Sequence, residues 1–201
     1  MPGPAKVMII RHGEKPTIKH QPPFGVTQDG EQDWESLTVR GWLRAAGLGR
    51  LFNPGANQFP NGALDRPTSI YASAPRDPGV ALAQDDDSKS KRPWQTITPL
   101  AQELNVTPIL DFGKGREAAL AKAVLAQNGI ILISWQHEAI GEIARNIVAG
   151  AEPRGTIPPQ WPGDRFDIVW VFDPPVKGKK RWKFTQVPQR LLPGDADTVI
   201  E

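Results

Sequence analysis

Two of the chain's three histidines stand beside apolar runs in a way that suits chemistry. His12 lies in Arg11-His12-Gly13-Glu14, directly after the apolar run Val7–Ile10, and His137 follows the run Ile130–Ser134 by three residues. The third, His20, lies in a proline-rich stretch and reads as a surface residue. An imidazole titrates near neutrality, so it can attack as a neutral base or hold an anion as a cation. Two arginines accompany the pair. Arg11 adjoins His12, and Arg92 opens a helical pattern in "SKRPWQTITPLA", residues 90–101. A cation at a helix start is disfavoured unless an anion is also present. The free N–H groups there hold anions, and a guanidinium grips phosphate-like oxygens in pairs. Taken singly, each residue has a plainer reading: a histidine bonded to backbone, an arginine in solvent. Together they describe a pocket for a doubly charged tetrahedral anion.

The elements that must position these residues are legible in the same pattern. Ala5–Ile10, Ser69–Ser73 and Ile130–Ser134 are short runs rich in Val and Ile, and predict buried strands. "TPIL", 107–110, is a further candidate strand. Apolar residues at 39, 42, 43 and 46 predict a helix over Leu37–Phe52, capped by Thr38 or Ser36 and stopped by Asn53-Pro54-Gly55. A second helix is expected from Ser90 and Pro93 to about Asn105, a third over Glu117–Gln127 and a fourth over Glu138–Ala149. Arg165–Phe172 and Arg181–Val187 read as two strands of a hairpin, 165–187, with a solvated basic turn. Alternating strands and helices predict an α/β three-layer sandwich, with a mainly parallel central sheet and helices on both faces. Ligands in such sheets bind beyond the carboxyl ends of the strands, where His12 and His137 fall. Gly13 lets the backbone turn away there.

Length and composition bound the rest. At 201 residues, with no linker or repeat, the chain is expected to form a single domain, 1–201. A formal charge of +2 gives no electrostatic case for a nucleic-acid or membrane partner, and no apolar run approaches the ~20 residues that span a bilayer. "MPGPAK" is not a signal peptide pattern, so a cytoplasmic location is the expectation. With no cysteine there are no disulfides and no thiolate metal ligands. The run Asp85-Asp86-Asp87 lacks a calcium-loop pattern and reads as solvated. Of seven tryptophans, Trp42, Trp94, Trp170 and Trp182 fall in expected elements and read as core, whereas Trp34 and Trp161 fall in loops near the expected mouth.

The ordered motifs resemble those of the histidine phosphatase superfamily, which includes phosphoglycerate mutases and acid phosphatases. "IIRHGEK" resembles the first-strand Arg-His-Gly motif, and "SLTVRGWLRAAGL" the Leu-Thr…Gly…Ala helix. "IYAS" followed by "RPWQTITPLA" resembles the strand and its arginine four residues before the Thr of a Gln-Thr pair. "ILISWQHEAI" resembles the second histidine after a buried strand. These pieces lie in the right order over residues 7–140. The chain departs from the superfamily in an inserted loop at 76–90, which makes Arg76 a rival for Arg92. It also departs at Glu138 after the second histidine, and at Lys15-Pro16-Thr17, which points away from a sugar-phosphate mutase.

The resemblance implies a phosphoglycerate mutase-like fold and a phosphoric monoester hydrolase that needs no metal or other cofactor. His12 would be the nucleophile that becomes a phosphohistidine, while Arg11, Arg92 and His137 would cradle the phosphoryl oxygens. Glu138 would be the general acid, with Glu14 as the other local candidate. Glu138 would equally suit the helix dipole, and Glu14 would equally hold an arginine of the site in place. The substrate would be a small phosphomonoester or a phosphoprotein. The alternative is a phospho-ligand binding module with little or no turnover.

Overall fold

The computed structural model describes residues 3–75, 90–149, 153–176 and 181–201. In chain order the elements are β1 (Pro4–Arg11), α1 (Val39–Phe52), β2 (Ser69–Ala72), α2 (Arg92–Leu104), α3 (Glu117–Ala126), β3 (Gly129–Trp135), α4 (His137–Ile147), β4 (Ile168–Asp173) and β5 (Lys183–Pro188). A short 3₁₀ turn, Gly55–Asn57, follows α1. The strands form one mixed sheet in the order β2-β3-β1-β4-β5. β2, β3 and β1 run parallel, with Ile10 beside Ser134 and Tyr71 beside Ile133. β4 pairs antiparallel with β1, and β5 antiparallel with β4. The expected parallel core is therefore present in three strands, and the hairpin adds two antiparallel ones.

β1 shows why its apolar run is unbroken. Val7 and Ile9 face a core cluster shared with α3 and α4, whereas Met8 and Ile10 face a second cluster shared with α1 and α2. A strand covered on both faces needs apolar side chains at every position. All four are fully buried, each burial contributing about 1.5–3 kcal/mol. The segment "TPIL" makes only one bridge, Ile109 to Tyr71, rather than a strand. Pro108 has no N–H to extend the ladder. Of the helix caps, Thr38 accepts from Gly41 N at 3.2 Å, as its place before α1 predicts.

The inserted loop, with Arg76 and the acidic run, lies outside the described residues except for Ser90, and so do residues 177–180 of the hairpin turn. Among the described residues no helix is long and apolar enough to cross a membrane.

Candidate active site

The parallel strands bring their carboxyl ends to one edge of the molecule. His12 follows β1 and its backbone N–H donates to Trp135 O at 3.1 Å, so the ladder between β1 and β3 runs one residue past β1. Across that edge Ser73, after β2, accepts from Gln136 Nε2 at 3.0 Å, just before His137 begins α4. The residues singled out by the histidine pattern thus share one edge because parallel strands in register must end together.

His12 is 3% exposed. Its Nδ1 lies 2.7 Å from Gly13 O. A carbonyl only accepts, so Nδ1 carries the proton and Nε2 keeps its lone pair. Burial, then the charge of Arg11, hold the imidazole well below its usual range, with the Gly13 carbonyl opposing them. The ring is therefore neutral and oriented, with its free lone pair on Nε2. Its turn is fixed from two sides. Gly13 N donates to Thr96 Oγ1 at 2.8 Å, and Thr96 Oγ1 donates to Arg92 O at 2.7 Å. Gln95 accepts from Leu37 N at 2.8 Å and donates to Ser36 Oγ at 2.8 Å. The Gln-Thr pair of the sequence pattern is the stitch between α2, the histidine turn and the start of α1. On the other side α1 comes so close that a Cβ on Gly41 would lie 2.5 Å from Glu14 O, which leaves room only for glycine.

Arg11 is fully buried and lies flat against Phe166, its guanidinium carbon 3.7 Å from the ring centre. Nη1 donates to the carbonyls of Gly163 at 2.7 Å, Arg165 at 3.1 Å and Pro162 at 3.2 Å. Its Nε and Nη2 are buried without a hydrogen-bond partner among the described residues. Burial lowers its pKa to about 10, while Glu138, Asp164 and Glu14 support the charge. Buried N–H donors are normally satisfied, so two unpartnered ones on a cation point to an anion. Arg92, 8% exposed, is close enough to lower the pKa of both Arg11 and His12. Its guanidinium is turned toward the loop before α1, donating to Trp34 O at 2.5 Å, Ser36 O at 3.3 Å and Ser90 Oγ at 3.2 Å.

His137 starts α4, and its Nε2 lies 3.6 Å from where a Cβ on Gly163 would stand, which places it beside the loop that holds Arg11. Glu138 Oε2 lies 2.8 Å from His137 Nδ1. Glu138 Oε1 accepts from Lys114 Nζ at 2.7 Å. The His137 contact first, and Lys114 after it, hold the Glu138 carboxyl far below the usual carboxylate range against the burial that would raise it. Lys15 is lowered by desolvation and by its neighbours Arg92 and Arg11.

Glu14 faces away from this group. Its carboxylate accepts from Arg40 Nε at 3.0 Å and from Arg44 Nη2 and Nε at 2.8 and 3.1 Å. Arg44 also grips Asp195 through Nη2 at 2.7 Å and Nη1 at 3.0 Å, with Gln189 at 3.0 Å. Of the two roles open to Glu14 in the sequence, the geometry is that of an arginine partner, and its arginines belong to α1 rather than to the pocket.

Sequence reasoning passed over Lys114, Gly163, Asp164 and Phe166, and noted Lys15 only as a departure from a pattern. Lys15 stands three residues after His12, a usable signal. The others lie in loops with no local pattern. Of the two loop tryptophans, Trp161 is 4% exposed, packs on Trp170 with ring centres 5.0 Å apart, and borders a 340 Å³ pocket with His137 and Glu138. Trp34 contributes its carbonyl to Arg92. Among the described residues, no group of three or more His, Asp or Glu side chains converges as metal ligands.

No protein-family model matches the chain, and no curated protein matches it. Among solved structures it is similar to one described as "the putative phosphohistidine phosphatase SixA from Agrobacterium tumefaciens", with 14% identity over 91% of this chain and 97% of that one and a TM-score of 0.48. At that identity and score the likeness carries no statement about the chemistry of this chain.

Proposed function

We propose that this protein is a phosphomonoester hydrolase that works through a phosphohistidine on His12 Nε2. One observation carries the reading: a neutral histidine with its Nδ1–H held by Gly13 lies beside a buried arginine with two unpartnered donors. The site suits an in-line displacement, which demands a positioned nucleophile and fixed positive charge around the equatorial oxygens. His12 Nε2 forms a bond to phosphorus as the bond from phosphorus to the leaving oxygen breaks, and that oxygen takes a proton. Water then attacks phosphorus, the N–P bond breaks, its electron pair returns to Nε2, and inorganic phosphate leaves. Arg11 is the principal clamp, Arg92 and Lys15 add charge, and His137 is proposed to bind a phosphoryl oxygen. The fold is read as the three-layer, phosphoglycerate mutase-like sandwich, supported by the two core clusters that share β1.

Glu138 is proposed as the proton donor. In the free site its carboxyl is ionised. A phosphoryl dianion bound between the arginines repels that carboxylate and raises its pKa, which is the direction a general acid needs. The same ionised carboxyl favours the rival reading, a phospho-ligand binding protein with little turnover. Purified protein assayed against a panel of phosphomonoesters separates the two. Hydrolysis that vanishes in His12→Ala, with labelled phosphate trapped on His12 of the wild type, is the expected result. Turnover of none of the esters leaves the binding module.

A further inference from the structure

Beside Phe166 opens a pocket of 650 Å³ with an apolar wall of Pro23, Phe24, Val26 and Val39, and two of its lining residues, Gly163 and Phe166, also touch Arg11. Resting on the hydrolase reading above, we infer that it binds the alcohol part of the substrate, and that this part is a small apolar group, aromatic or alkyl.

Three observations carry this. The pocket borders the catalytic residues through two of its lining residues. Phe166 packs on Arg11 and has its ring centre 6.2 Å from that of His12, and the Gly163 carbonyl accepts from Arg11. A phosphoryl ester held at Arg11 with its leaving oxygen turned past Phe166 would place its alcohol part in the pocket. The lining is also divided in character. Lys15 and Asp164 interact with Arg11, while Phe24 and Val39 present apolar surface, 39% and 63% exposed. Single exposed apolar residues mean little, but a cluster of them around a concavity of ligand size does. Lastly, half of the polar side chains in the lining are engaged elsewhere. Thr38 Oγ1 donates to Glu14 O and accepts from Gly41 N, Glu14 is held by Arg40 and Arg44, and Arg40 Nη2 donates to Pro193 O. A sugar or a nucleotide needs many side-chain partners for its hydroxyls and ring nitrogens, and each group left unpaired costs affinity. An apolar group needs no such partners and covers the exposed Phe24 and Val39 side chains.

The test uses non-hydrolysable phosphonates on the full-length protein, so that binding is read whether or not there is turnover. Calorimetry with naphthylmethylphosphonate and methylphosphonate should show the naphthyl compound bound ~10-fold tighter or more. Phe24→Ser and Val39→Asp, each checked for an intact fold by circular dichroism, should shrink that ratio several-fold. Equal affinities in the wild type, a ratio unmoved by both folded variants, or no binding of either phosphonate overturns the inference. A parallel assay with naphthyl phosphate, methyl phosphate and a phosphotyrosine peptide separates the two readings. Preferential naphthylphosphonate binding without any turnover supports the pocket and sinks the hydrolase. Turnover of every ester with equal phosphonate affinities sinks the pocket alone. A peptide handled ~10-fold better than naphthyl phosphate assigns the pocket to a protein segment and overturns the small-molecule reading.

Discussion

His12 owes its state to three neighbours that the turn brings together: the Gly13 carbonyl, the Arg11 charge and the enclosing core. Its imidazole should therefore stay neutral as the pH is lowered through 6.5, with the proton on Nδ1. Nitrogen chemical shifts of labelled histidine measure this, and a titration midpoint near 6.5 would contradict the burial argument. Arg11→Ala should lower kcat ~10²–10³-fold, the loss seen when one preorganised donor to a transition-state oxygen is removed. Arg92→Ala should cost more than Arg76→Ala, because Arg92 reaches His12 electrostatically and its guanidinium ties down the loop before α1. For Glu138 the leaving group is the probe. An alkoxide needs a proton as its bond breaks, and a nitrophenolate needs little help. Glu138→Gln should slow an alkyl phosphate ~10²–10⁴-fold and barely slow nitrophenyl phosphate. Small and equal losses would reduce Glu138 to a partner of the α4 dipole, a role worth only about 0.3–1 kcal/mol.

Between elements the site depends on two sets of bonds. One joins α2 to the histidine turn through Thr96, and Thr96→Val should leave Gly13 N buried and unpaired, a loss of about 1–3 kcal/mol. If Thr96 positions His12, the variant should lower kcat with little change in KM. A merely structural role would lower Tm alone. The other set ties β1's exit to the C-terminal segment through Glu14, Arg44 and Asp195. Arg44 and Asp195 are nearly enclosed, with side chains 2% and 3% exposed. Burial would lower the Arg44 pKa, but the bonds to Asp195 and Glu14 raise it. Asp195→Ala removes two charged hydrogen bonds but leaves Arg44 with Glu14, so it should destabilise by about 1.5–3 kcal/mol in chemical denaturation. A loss under 1 kcal/mol would show that water already reaches Arg44.

Across the whole molecule these shifted groups set how stability depends on pH. His12 is held below its unfolded value, so the unfolded chain takes up a proton below about pH 6.5 that the native state refuses. Stability is thus present above that pH and falls as the pH drops toward the native value. Asp195 and Glu138 are also lowered, and their share is lost further down, below the usual carboxylate range. Tm should decline from pH 7 to pH 5, and His12→Ala should flatten that decline. Parallel curves for wild type and variant would show that His12 titrates alike in both states.

Much of this was legible in one dimension. Strand runs such as Val7–Ile10 and Ile130–Ser134, the helical spacing of residues 39 to 46, and the order of Arg11-His12-Gly13, Arg92 and His137 are local properties of neighbouring residues, and the described elements follow them closely. Because parallel strands end together, the placement of His12 and His137 on one edge followed as well. Three features did not. Which nitrogen of His12 is free depends on one hydrogen bond, not on residue type. Glu14 reads as a site residue until Arg44, 30 positions on and itself held by Asp195 a further 151 positions away, draws its carboxylate aside. The loop that holds Arg11 and opens the apolar pocket, Gly163 to Phe166, lies 152 residues beyond the arginine it serves. No local pattern encodes a contact across that separation; it exists only once the sheet has placed β4 beside β1.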